Sequence, residues 1–294
     1  MSLREVVVTR TEPGGCAVNL SDGLAALGAR VELFATLGAP VHPAFAPVLQ
    51  RLAAVHPVGA MHGRTTALEF GDGKLMLAAV AQLAGLDADL AQRALLQAGY
   101  PEACARADLI ALTNWTLYPH MTAVWELLSD RVFARLPRRV PILVDLVDPG
   151  GRDPADVRAM LAVLARMPAV SLGLNLNEAN ILARLLGVAG GADDAGLPGL
   201  AARLRAAVAV DEVVIHALRH AACSDGALVA GPYTAAPVRL TGAGDRFNAG
   251  YALGAMLRLP SEQRLALGCA SSGSYVRSGA SADAEAVAAI AAAQ

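Results

Sequence analysis

Cysteine is scarce in this chain, and the four present (Cys16, Cys104, Cys223 and Cys269) fall at no useful spacing. No two sit at metal-ligand intervals, and no short disulfide framework can be drawn. A disulfide-stapled secreted module and a cysteine-based zinc site are therefore set aside, and reduced thiols in a cytoplasmic protein are expected. The six histidines form no metal-binding pattern either. Aromatic residues make up only 4% of the chain, so stacking platforms for bases are few. The net charge is −2 with the basic residues scattered, which leaves no basic stripe for nucleic acid. Hydrophobic residues reach 55% and the mean hydropathy is +0.44, yet charges break every apolar run short of the ~18 residues a membrane helix needs. The hydropathy therefore reads as alanine-rich helices and not as a membrane span. Residues 1–10 carry no apolar signal core.

What the chain does contain is alternation. Short apolar or β-branched runs at residues 5–9, 31–35, 109–112, 141–145, 170–174 and 212–215 alternate with Ala/Leu-rich helical stretches at 19–27, 119–128, 153–165, 177–186 and 200–207. Continuous apolar runs suit parallel strands buried on both faces. The pattern predicts an α/β fold: a doubly wound, mainly parallel central sheet flanked by helices, in a single domain over residues 1–294. One stretch breaks the rhythm. Residues 64–70 and 74–80 flank Gly71-Asp72-Gly73, a strong hairpin signal. A β-flap over about residues 61–80 is expected there, with an ordinary edge hairpin as the alternative. Its apolar face would suit a two-fold homodimer contact. After a turn-rich run, three helices are expected at 244–257, 262–275 and 283–292.

Two glycine motifs carry the chemistry. Thr241-Gly242-Ala243-Gly244-Asp245 leads into a stretch in which Phe247, Tyr251 and Ala255 share one helical face. Glycines at a helix start let backbone N–H groups approach an anion, and the helix dipole favours negative charge there. Such a turn suits a transferring phosphoryl group. Asp245 would stand beside it, able to orient a hydroxyl and accept its proton. A helix N-terminus also lowers a carboxyl pKa, which makes Asp245 a weaker base. Taken alone, the turn reads better as a capped helix start. The second motif, Gly14-Gly15-Cys16-Ala17-Val18-Asn19 with Ser21, follows the first strand. Asn19 has both a donor and an acceptor for a sugar diol, or it would cap the helix.

In this order and at this distance, the two motifs resemble the signatures of the ribokinase-like (pfkB) family of carbohydrate and nucleoside kinases. Gly28 and Gly38 match the first signature, and Ala249-Gly250 the second. The resemblance implies a cytoplasmic kinase moving the terminal phosphoryl group of a nucleotide, ATP or ADP, onto a sugar-like alcohol with Mg²⁺. Asp245 would be the base, with the amides of Gly242, Ala243 and Gly244 as the anion hole. Gly15 and Asn19 would contact the sugar, and Asn114 and Asp145 would line the pocket at strand ends. Asn177, Glu178 and Asn180 would stand at the nucleotide and metal, with Glu178 as the candidate metal ligand. His216 and Arg219 would lie at the nucleotide. Ser278-Gly279-Ala280 is similar to a loop whose carbonyls bind a monovalent cation. The chain departs from the family where Asn180 replaces a glutamate, where residues 218 and 221 lack glycine, and where Arg239 and Leu240 precede the second signature. These departures keep two alternatives in view: a sugar-binding protein without turnover, and an ADP-dependent sugar kinase. A dinucleotide oxidoreductase is disfavoured, because no Gly-x-Gly-x-x-Gly follows the first strand.

Overall fold

The structure is a computed structural model that describes residues 7–70, 73–191 and 193–293. In chain order the main elements are α1 (Cys16–Ala26), β1 (Glu32–Ala35), β2 (Ala54–Pro57), β3 (Arg64–Phe70), β4 (Gly73–Ala79), β5 (Ile110–Thr113), α2 (Met121–Arg131), β6 (Ile142–Asp145), α3 (Pro154–Leu164), β7 (Val170–Asn175), α4 (Leu176–Leu186), α5 (Leu197–Val208), β8 (Glu212–His216), β9 (His220–Cys223), β10 (Leu228–Ala230), α6 (Ala243–Met256), α7 (Ser261–Ser278) and α8 (Ala284–Ala292). The central sheet has six strands in the order β10-β9-β8-β7-β6-β5. β5 to β8 run parallel, while β9 and β10 are antiparallel additions at one edge.

Side-chain alternation along the strands assigns the two faces. Ile142 and Val144 of β6, Leu172 and Leu174 of β7, and Val213 and Ile215 of β8 join a core with Trp125 of α2, Met160 of α3, Leu182 of α4 and Leu204 of α5. The residues between them, Leu143 and Val214, point the other way and pack with Leu20 and Leu24 of α1, Phe247 and Tyr251 of α6, Leu265 of α7 and Val287 of α8. Helices thus cover both faces, and the fold is the doubly wound α/β arrangement that the alternation predicts.

Two expectations change at the amino-terminal side. Of the run 5–9, residues 5 and 6 lie outside the described residues, while Val7 to Thr9 form no strand. Val7 and Val8 are 68% and 66% exposed. β1 pairs instead with β2, in a parallel two-stranded sheet separate from the central one. The predicted hairpin is present as the antiparallel pair β3–β4, and its Gly71-Asp72 turn lies outside the described residues.

Two glycines set how closely the helices over the second face approach. A Cβ on Gly23 of α1 would lie 2.7 Å from the Ala249 side chain of α6. A Cβ on Gly250 would lie 2.3 Å from the Leu267 carbonyl oxygen of α7. α6 is therefore wedged between α1 and α7, which brings the two glycine motifs to one place. At the opposite end of the sheet, Glu212 accepts from Tyr251 Oη (2.5 Å), Arg264 Nη2 (2.7 Å) and Ser171 Oγ (2.7 Å). Burial alone would raise the Glu212 pKa. The Tyr251 hydrogen bond, the Arg264 charge and the Ser171 hydrogen bond outweigh it and hold the carboxyl below its ordinary value.

Candidate active site

The site forms where the carboxyl ends of β6 to β8 meet the amino ends of α1 and α6, the usual ligand position in an open α/β sheet. Gly15, not Asn19, caps α1, and its φ of 91° is a conformation that favours glycine. Helix α1 therefore begins earlier than the sequence suggests, and Asn19 lies within it. From there Asn19 Nδ2 donates to Asp245 Oδ2 at 2.9 Å, across 226 positions of sequence. Gly242 caps α6 with φ 93°. Asp245 sits in the first turn and is only 9% exposed.

The turn's amides differ in one respect from expectation. The Ala243 N–H donates to the Leu240 carbonyl at 3.1 Å and is already engaged. The amides of Gly244 and Asp245 donate to no backbone carbonyl among the described residues, as the first turn of a helix requires. The Asp245 amide, unlike that of Ala243, is thus left without a backbone acceptor at this turn.

Electrostatics reverse the expectation of a weak base. Burial, followed by the charge of Asp145, raises the Asp245 pKa from 3.8 to about 7. The hydrogen bond from Asn19, the charge of Arg246 and a hydrogen bond from the Cys16 thiol pull the other way and do not prevail. Desolvation thus outweighs the helix dipole. Asp145 is itself raised by burial, against bonds from the Val147 amide (3.0 Å) and from Asn248 Nδ2. Cys16 and Asn248 were not singled out from sequence. Burial drives the Cys16 thiol pKa well up, so it stays a neutral hydrogen-bonding group.

A cleft of about 2120 Å³ opens beside these groups. Gly15, Asn19, Asn114, Thr241 and the hairpin residues Thr66 and Leu68 are among its lining; the buried Asp245 is not, and lies one hydrogen bond behind Asn19. The volume exceeds the roughly 300–1,000 Å³ of ordinary ligand sites, because the cleft also runs between β1 and β5, whose facing edges pair with no strand among the described residues. Asn114 adopts φ 63° and its Oδ1 accepts from the Leu117 amide at 3.4 Å, so it shapes the turn after β5.

The nucleotide-side candidates are placed differently. The Glu178 amide donates to Asn175 Oδ1 and Glu178 Oε2 accepts from the Asn175 amide, both at 2.9 Å, closing a capping box on α4. Burial and the nearby Asp145 charge push its pKa up to about 8, so at neutral pH its carboxyl is mostly protonated. Its bonds in this structure are those of a helix cap. Among the described residues no three His, Cys, Asp or Glu side chains are grouped as a metal site needs. Asn180 Oδ1 accepts from the Gly191 amide at 2.8 Å and pins the loop after α4. Asn177 Nδ2 donates to Asp148 Oδ2 at 3.2 Å. His216, its pKa lowered to about 4 by burial, packs on Phe247 with ring centroids 4.8 Å apart. A Cβ on Gly244 would lie 3.5 Å from the His216 ring, so this neutral imidazole floors the anion turn. Arg219 stacks on Tyr233 at 3.9 Å, outside the Asp245 hydrogen-bond cluster. Trp115 is fully buried and is packing, not pocket lining.

A doubly wound sheet with two converging glycine turns and a buried carboxylate between them defines a carbohydrate kinase of the ribokinase-like type. The chain belongs to the prokaryotic ketohexokinase family, whose model matches residues 2–293. It is 32% identical over 276 residues to a ketohexokinase of Haloferax volcanii, covering 90% of this chain and 71% of that protein. Among solved structures, a putative ribokinase II from E. coli superposes with a TM-score of 0.75 at 15% identity, covering 100% of this chain and 94% of that one. Arabidopsis thaliana ribokinase complexed with ribose and ATP gives 0.67 at 16% identity, covering 99% and 92%. These likenesses show the fold, and the family shows a sugar kinase that uses a nucleotide donor. No helix among the described residues is long and apolar enough to cross a membrane.

Proposed function

We propose that this kinase transfers the γ-phosphoryl group of ATP to a hydroxyl of a ketohexose, with Asp245 taking the hydroxyl proton. One observation carries the reading: the sugar-side Asn19 and the carboxylate of Asp245 are hydrogen-bonded to each other at 2.9 Å, one residue beyond the amide-bearing glycine turn. An incoming hydroxyl would displace the Asn19 amide from one carboxylate oxygen, and Asn19 would then hold a neighbouring oxygen of the sugar. With its pKa near 7, Asp245 is ionised about half the time at neutral pH and is a stronger base than an ordinary carboxylate. The amides of Gly244 and Asp245 would receive the negative charge that gathers on the transferring group. Asp145 raises the Asp245 pKa and is held by Asn248, so its part is electrostatic.

Mg²⁺ is proposed to arrive on the donor's phosphates, where it would neutralise their charge. Sparse protein ligation is usual for such magnesium. The β3–β4 hairpin is proposed as the lid of a single domain. Its Phe70, Leu75 and Leu77 are 62%, 51% and 52% exposed, which supports a contact between two copies through the lid. Sedimentation of the wild type against Leu75→Asp with Leu77→Asp tests that contact.

Phosphosugar formation, followed by mass spectrometry over a crossed panel, tests the function. The acceptors are fructose, tagatose, sorbose, glucose and ribose, and the donors are ATP, ADP and GTP. A ketohexose with ATP should give the highest kcat/KM, at least about tenfold over the aldoses, a margin within reach of a few pocket contacts. A preference for ribose or glucose would overturn the acceptor, and a preference for ADP the donor. No product with any pair would overturn turnover itself.

A further inference from the structure

The charge next to Asp245 has no part in the steps above. Arg246 is 6% exposed, and its guanidinium folds beneath the glycine turn. Nη2 donates to Asp22 Oδ2 at 2.6 Å and Nε to Ser281 Oγ at 3.0 Å. Its Cζ lies 4.5 Å from the centre of the Tyr275 ring. A Cβ on Gly242 would meet Nη1 at 3.2 Å and Tyr275 Oη at 3.1 Å, so both groups lie directly against the glycine that caps α6. Nη1 is buried and has no hydrogen-bond partner among the described residues. A buried donor of this kind is costly to leave unmet. The buried counter-charge of Arg246 is Asp22. Asp22 is shared with Arg51, and Arg239, paired with Glu12, lies 5.8 Å from the same Tyr275 ring.

The same region is where the resemblance in sequence implied a monovalent cation, and the residues present do not fit one. The Ala280 carbonyl accepts from Ser278 Oγ at 3.0 Å. The Val276 carbonyl accepts from the Val238 amide at 2.7 Å, and the Thr241 carbonyl from Tyr275 Oη at 2.8 Å. The Ser281 hydroxyl accepts from Arg246 and donates to Asp22. A guanidinium already stands among these groups, and in a poorly solvated site it would repel a second cation.

We propose that Arg246 is the built-in cation of this site. It supplies, from within the chain, the fixed positive charge beneath the Gly242 turn, and phosphoryl transfer therefore has no monovalent-cation requirement. Arg246 acts through the turn and is a positioning residue. The activity arm of the test rests on the kinase reading, whereas the stability arm does not.

The full-length protein is compared in potassium, sodium and choline chloride at equal ionic strength. The unfolding midpoint, with and without ATP and Mg²⁺, should be the same in all three salts. A saturable stabilisation specific to potassium would overturn the inference. Wild-type turnover should vary by less than about twofold across the salts, and activation by potassium of about tenfold, a transition-state effect of the size one electrostatic group provides, would also overturn it. Arg246→Met should lose about tenfold or more in kcat and regain part of it with added guanidinium ion, which a purely structural arginine would not show. Arg246→Lys should retain more activity than Arg246→Met. Unchanged turnover in Arg246→Met would refute the role. Should that variant not fold, Arg246→Lys decides, because it should show the weakened turnover and the guanidinium response, and wild-type behaviour would refute the proposal. If the wild type turns over in no salt, the kinase reading fails while the midpoint comparison still decides the cation.

Discussion

Replacing Asp245 with Asn should make the unliganded protein more stable above neutral pH. In the unfolded chain this carboxyl ionises near 3.8, whereas in the folded protein it ionises near 7, raised mainly by burial. Between those values the unfolded state gives up its proton first, so stability falls as pH rises from about 4 to about 7 and stays low above that range. A difference of about 3 units is worth ~4 kcal/mol at 1.36 kcal/mol per unit. Asn is nearly isosteric, still accepts from Asn19 and carries no charge to desolvate, so the variant escapes the loss. At pH 8 it should unfold about 8 °C above the wild type, taking ~2 °C per kcal/mol for a chain of this size. At pH 4 the two should unfold together. Thermal denaturation of both proteins across that range is the assay. A variant that is less stable at pH 8, or a gap that does not change with pH, would refute the claim that Asp245 is a desolvated carboxylate.

Asn19→Ala removes the hydrogen bond that lowers the Asp245 pKa, so the acid limb of the kcat/KM profile should move to higher pH and the sugar KM should rise about tenfold; steady-state kinetics from pH 5 to 9 would show it. Glu212→Gln leaves Arg264 half-buried beside a neutral amide and should cost about 3 kcal/mol in urea unfolding. Because the Glu212 pKa is depressed in the fold, its contribution is present above the ordinary glutamate value and is lost as pH falls through the folded one, so the gap between wild type and variant should close in acid. Gly250→Val sets side-chain carbon against the Leu267 carbonyl, a backbone atom that cannot swing aside, and should cost at least about 3 kcal/mol or prevent accumulation of folded protein, read by circular dichroism.

The central sheet was legible because the β6, β7 and β8 runs are short, apolar and separated by helical stretches, and the glycine turns were legible because their chemistry is local. Asp245 could be picked out for the same reason. Its environment could not. The partners Asn19, Asp145 and Cys16 come from distant segments, and the pKa that makes the carboxylate an effective base depends on burial that no local pattern encodes. Asn175 and Glu178 have capping-box spacing, and the stretch that resembles a metal motif overlaps the helix start that they close. The buried guanidinium of Arg246 left no mark in the sequence beyond an arginine following the motif. Of the strand expected at 5–9, Val7 to Thr9 form none, and residues 5 and 6 lie outside the described residues.

The central claim is that Asp245 removes the proton from the acceptor hydroxyl, and single-turnover phosphorylation of fructose by Asp245→Asn tests it most directly. The account predicts a fall of at least about a hundredfold in the transfer rate, with sugar affinity within a few-fold of wild type and a folded, fully stable protein. Transfer within about tenfold of the wild-type rate would mean that another group, or no protein group at all, accepts the proton.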